Sequence, residues 1–98
     1  MTAITFWVLD IEAAGRAYEP MRFATNALAR TALSLISGEG KGHRQKVVAR
    51  LTETTADPET TIDGWRLEDI LASDEGEAET IAWRCVNALE QDAWATPD

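Results

Sequence analysis

The chain has 98 residues, 45% of them apolar, and a formal charge of −8 at neutral pH. That length holds one domain, because a second would lack the chain for a core of its own, and folding buries roughly 60–65% of the unfolded surface. No stretch approaches the ~20 apolar residues that span a bilayer, so a membrane partner is not expected.

The start, "MTAITFWVLDIE", lacks the basic flank of a secretory leader. The one cysteine, Cys85, excludes an intramolecular disulfide. The expected compartment is the reducing cytoplasm. The tail "ATPD" reads as a frayed end. The charge is unevenly spread: −2 over residues 1–20, +5 over 21–50 and −11 over 51–98. A surface polarised in this way usually faces partners.

In chain order, "AITFWVLDI" is a strand with both faces apolar until Asp10, hence an interior strand. "EAAGRAYEP" is a connection. From Met21 to Ile36 the spacing predicts a helix. Pro20 suits its first turn, and Met21, Ala24, Leu28, Ala32 and Leu35 form one stripe, with Leu33 anomalous on the polar side. Gly38 supplies its stop.

"QKVVARLTETT" predicts a second strand, with Val47, Ala49 and Leu51 on one face and a wet opposite face. "ADPE" is a turn. Asp63–Gly64 fits either a hairpin turn or a helix cap, and a short strand near 60–63 with a short helix over 65–72 is the preferred reading. From Asp74 to Trp94 a helix is predicted, with Ala78, Ile81, Ala82, Cys85, Val86, Leu89 and Ala93 as its apolar stripe. Its first turns hold Asp74, Glu75, Glu77 and Glu79, where carboxylates favour the positive end of the dipole.

The fold class these elements imply is α+β, a single domain over 1–98. A small two- to three-stranded sheet packs against two main helices, in the order β-α-β-(β)-(α)-α.

Few residues look chemical. "SGEGKGHRQK" has alternate glycines and a lysine, but its order is helix, glycines, strand. A phosphate loop runs the other way, with the anion at a helix N-terminus. The expectation is a flexible connector. His43 and Cys85 are the only histidine and cysteine, short of the three or four clustered ligands of a transition-metal site. "DPETTIDG" lacks the spacing of a calcium loop. No metal, no cofactor and no catalytic residue is expected. Cys85 lies on the apolar stripe, as a small hydrophobe would.

The expected site is the acidic half. Glu68, Asp69, Asp74, Glu75, Glu77, Glu79, Glu90 and Asp92 surround a second stripe of the last helix, Trp83, Asn87, Glu90 and Trp94. Tryptophan is enriched where interfaces hold their binding energy. The alternative is that Trp83 and Trp94 are core. The expected partner is the basic surface of a protein or ribonucleoprotein complex, with a second copy of the chain as a further candidate and no direct nucleic-acid binding.

In size, charge and want of catalytic residues the chain is similar to small acidic inhibitors, such as phage anti-CRISPR proteins and toxin-immunity proteins. That similarity is one of type, carried by no motif residue. It implies a non-enzymatic protein in which carboxylates stand in for phosphates. The alternatives are a nucleic-acid or ribonucleoprotein accessory using the basic segment 41–50 and, third, a small enzyme or ligand-binding subunit at an oligomer interface.

Overall fold

The protein is described here by a computed structural model covering residues 2–95; residues 96–98 of the expected frayed tail lie outside the described residues. The apolar run folds as the long strand β1 (Ile4–Ala13). Alternation sends Trp7, Leu9, Ile11 and Ala13 to one face, where the last three are buried in the main core and Trp7 packs against it.

The chain then reverses through Ala14 and Gly15, with φ of 54° and 76°. Two positive φ values in a two-residue loop make a type I′ turn, which matches the twist of the strands it joins. β2 (Arg16–Ala17) follows, and after a break β3 (Met21–Phe23), both antiparallel to β1.

Here the structure corrects the predicted first helix. Met21 and Phe23 are buried on either side of a half-buried Arg22, a strand alternation that an i, i+3 stripe imitates over so few residues. Helix α1 (Asn26–Glu39) begins only after Thr25, whose Oγ1 accepts the Leu28 N–H at 3.2 Å. Its buried line is Ala29, Ala32 and Ile36, with Leu28, Leu33 and Leu35 half-buried beside it, so Leu33 belongs to the apolar side. The helix runs through Gly38, and Gly40 is its C-cap in an ordinary right-handed conformation.

β4 (Val48–Ala56) pairs antiparallel with β1 in an unbroken register from Ile4 opposite Ala56 to Glu12 opposite Val48. Leu51 is half-buried opposite Leu9 and Val48, Arg50 and Thr52 are exposed, but the expected alternation holds only in part, since Ala49 is exposed and Thr54 half-buried. β1 is thus the central strand, with β4 on one side and β2 and β3 on the other.

A two-stranded hairpin, β5 (Thr61–Ile62) and β6 (Trp65–Arg66), closes on Asp63 and Gly64 with φ of 52° and 85°. A short helix α2 (Leu67–Ile70) follows at once. This segment carries the chain from β4 at one sheet edge to Ala72 at the other, where Ala72 forms a parallel bridge to Phe23. Two bonds fix it: the Ala24 N–H to the Ala72 carbonyl at 2.8 Å, and the Ala72 N–H to the Arg22 carbonyl at 3.0 Å.

Helix α3 (Glu75–Glu90) packs against α1 and contributes Ala78, Ala82, Cys85, Val86 and Leu89 to the core. Asp74 caps it, accepting the Glu77 N–H at 2.8 Å, and Glu77 in turn accepts from the Ser73 N–H and hydroxyl.

The architecture is therefore two sheets, of four and two strands, with three helices in the order β-β-β-α-β-β-β-α-α. This replaces the expected two- to three-stranded sheet on two helices. β5 falls where a short strand is expected near 60–63, but the helix expected over 65–72 is only Leu67–Ile70, preceded by strand β6. The missed strands β2, β3 and β6 span two or three residues each, too few for any periodicity to register. Among the described residues no helix is long and apolar enough to cross a membrane.

Candidate functional site: an acidic furrow beside the last helix

The cap of α3 and the turn of α2 bring carboxylates to one place. An open furrow of about 650 Å³ runs between the two helices. Asp69, Asp74 and Glu77 stand on its walls, Ile70, Leu71 and Ile81 give it an apolar lining, and Arg84 also lines it. Among the described residues none of these three acids is ion-paired to a base of the same chain, whereas Asp92 pairs with Arg16, and Glu59 and Glu68 pair with Arg66. Charge held open beside half-buried isoleucine suits a lysine or arginine, whose apolar stem and charged head need both surfaces.

The other expected residues divide. Glu75 and Glu79 are exposed on α3, and Trp83, one turn after Glu79, is 43% exposed. None of the three is among the residues that line the furrow, and by the helical period they lie round α3 from Glu77. Glu68 is exposed but neutralised by Arg66. Glu90, at the far end of α3, lies about 20 Å along the axis from Glu77 at the helical rise per residue. It stands outside the cluster.

Trp94 is different. The predicted helix to residue 94 ends at Glu90, and the chain turns, so Trp94 leaves the stripe of Trp83. It is buried, its Nε1–H donates to the Gln45 carbonyl at 2.7 Å, and His43 stacks on it with ring centres 4.5 Å apart. A Cβ at Gly40 would come 3.1 Å from the indole. The glycine-rich stretch is therefore a seat for Trp94, and what reads as a flexible connector is clamped. Nearby, Asp92 accepts from the Tyr18 hydroxyl at 2.9 Å and pairs with Arg16, which ties the end of α3 to the first hairpin.

A second cavity, of about 430 Å³, adjoins the furrow and shares Ile70, Ile81 and Arg84 with it. Tyr18, Arg22 and Trp65 line it; neither Tyr18 nor Trp65 is singled out as a site residue by the sequence. The available signal was Trp65 directly after an Asp-Gly turn, where an indole is presented to solvent; it is 66% exposed. Cys85 also lines this cavity, and burial pushes its thiol up to about 11, away from nucleophilic use. Burial, then the bond to Asp92, likewise raises the Tyr18 hydroxyl.

The basic segment lies elsewhere. Lys41, Arg44 and Lys46 are exposed on the connector before β4, and Arg50 is on β4 itself, at the sheet edge away from the furrow. Among the described residues no three histidine, cysteine or acidic side chains are grouped to hold a metal ion. Comparison with known protein families, with curated proteins and with solved structures finds no match to this chain.

Proposed function

We propose that this chain is a small non-enzymatic binding protein of the cytoplasm that docks on, and blocks, a basic nucleic-acid-handling surface of another protein or ribonucleoprotein. The furrow is the observation that carries this reading. Three carboxylates without ion-pair partners stand in one open trough with Ile70, Leu71, Ile81 and Arg84, and a half-exposed tryptophan lies further round the same helix. Asp69 and Asp74, with Glu75, Glu77 and Glu79 around them, take the place of phosphates. Trp83 supplies the apolar anchor. Trp94 has no part in the contact, because its indole is already used inside.

The test uses arginine- and lysine-rich peptides with interspersed leucines, and duplex and single-stranded DNA and RNA. Binding to the peptides weakens steeply as salt shortens the reach of charge from about 10 Å at 0.1 M to about 3 Å at 1 M. Asp69→Lys, Glu75→Lys and Glu79→Lys slow association, and Trp83→Ala speeds dissociation at a cost of about 2 kcal/mol. Asp74 and Glu77 are poor test sites, since both cap α3. Mobility shifts of the isolated protein on nucleic acid at physiological salt transfer the function to the basic segment. Peptide binding indifferent to salt and to these reversals sinks the proposal.

A further inference from the structure

β4 is a long edge strand with few of the usual defences of one. Its nine residues, "VARLTETTA", pair with β1 alone, and among the described residues no strand lies on its other side. Alternate N–H and C=O groups of an antiparallel strand point away from the partner already present. Natural edges are blunted by proline, charged side chains, bulges or short length, and of these β4 has only the charges of Arg50 and Glu53. This strand has no proline, glycine or lysine, and its register with β1 runs without a bulge. Val48 on its outer surface is 68% exposed, and Leu51 sits half-covered at the margin of the core.

From this self-complementary edge we infer that two copies of the chain pair along β4, antiparallel, so that one sheet runs through both. A two-fold axis perpendicular to the sheet keeps like faces together. That symmetry allows pairing centred on Leu51 or on Thr52. Centred on Thr52, Leu51 meets the partner's Glu53, an apolar residue against a charge.

Centred on Leu51, Leu51 meets the partner's Leu51 on the helix-bearing face and extends the core across the axis. Val48 then lies opposite the partner's Thr54, a pair of β-branched residues suited to facing positions. Arg50 lies opposite the partner's Thr52, and Ala49 opposite the partner's Glu53. No like charges oppose each other, so the Leu51-centred register is the one formed.

The furrow lies beside Ala72 at the opposite sheet edge, so the pairing leaves it open. A single strand edge covers less than a standard interface of about 1,600 Å², so the dimer is weak and depends on concentration. Each copy carries −8, and their repulsion opposes the contact. Added salt therefore tightens the dimer, whereas it loosens the docking proposed above. The two readings thus fail separately.

The experiment is sedimentation of the full chain up to hundreds of micromolar at low and high salt, with Thr52→Lys and Thr52→Glu. Thr52 is exposed, and far-UV circular dichroism checks that both variants stay folded. Thr52→Lys faces the partner's Arg50 twice by symmetry and raises the dimer dissociation constant by roughly 2- to 30-fold, at cross-strand pair strengths. Thr52→Glu lowers it by a similar factor. A chain that stays monomeric throughout overturns the inference. So does a dimer that both variants shift in the same direction.

Discussion

Replacing Gly40 by alanine puts a methyl group 3.1 Å from Cζ2 and 3.4 Å from Cη2 of Trp94. The backbone raises no objection, since Gly40 has φ −79° and ψ −9°. On entropy alone Gly40→Ala stabilises by about 0.4–1 kcal/mol, because the unfolded chain loses freedom. The indole must then move by a few tenths of an ångström. It is pinned by its bond to the Gln45 carbonyl and by the stacked His43. Overpacking of such a site costs about 1–3 kcal/mol, so the net expectation is a loss of about 1 kcal/mol.

Gly38→Ala is the control. Nothing stands within 4 Å of its added Cβ, so it stabilises. Trp94→Phe removes the outer ring and the donor, at about 2 kcal/mol. In that background Gly40→Ala turns from a loss into a gain of about 0.4–1 kcal/mol. Urea denaturation followed by far-UV circular dichroism gives all the terms of the cycle. If Gly40→Ala stabilises the native chain as much as Gly38→Ala does, the indole is not held over Gly40 and the clamp is refuted.

Ala14 sits at φ 54°, where a Cβ is strained and asparagine is tolerated. Ala14→Asn should add about 1 kcal/mol, read as a rise of about 4–8 °C in melting temperature; no rise would place the strain elsewhere. The Cys85 thiol is raised from 9.0 to about 11 by burial, so folding favours its protonated form. That contribution is complete below pH 9, fades as pH rises through about 11, and is absent in Cys85→Ala; a native thiol that labels rapidly at neutral pH would contradict its burial.

The parts of this fold legible in the sequence are those whose cause is local. β1 is apolar on both faces and stands between β4 on one side and β2 and β3 on the other, as its interior reading implies, and α3 shows a wide stripe and an acidic first turn because one side packs and one end is capped. Asp63–Gly64 marks a break by residue type but leaves a hairpin turn and a helix cap open, and the preferred helix from 65 gives way to β6. What stays hidden depends on distant partners. Met21 and Phe23 become a strand only because β1 is there to pair with them. Trp94 continues the α3 pattern on paper, yet its bond is to Gln45, 49 residues away, and Asp92 beside it is taken by Tyr18, 74 residues away. Asp69, Asp74 and Glu77 were recognisable as acids. Their shared trough was not, because α2 is positioned by Ala72 joining the edge of β3.

The central place of β1 also fixes an order of assembly. Its hairpin with β2 and β3 closes over a few residues and forms early, whereas β4 returns to it only after the whole of α1 has been synthesised. Until then one edge of β1 is open along its length. "ITFWVL", apolar and rich in β-formers, is the segment through which half-made molecules would stick to one another. Arrival of β4 is the step that ends this exposure. Substitutions that weaken β4 should therefore lower the yield of soluble protein more than they lower the stability of the molecules that finish folding.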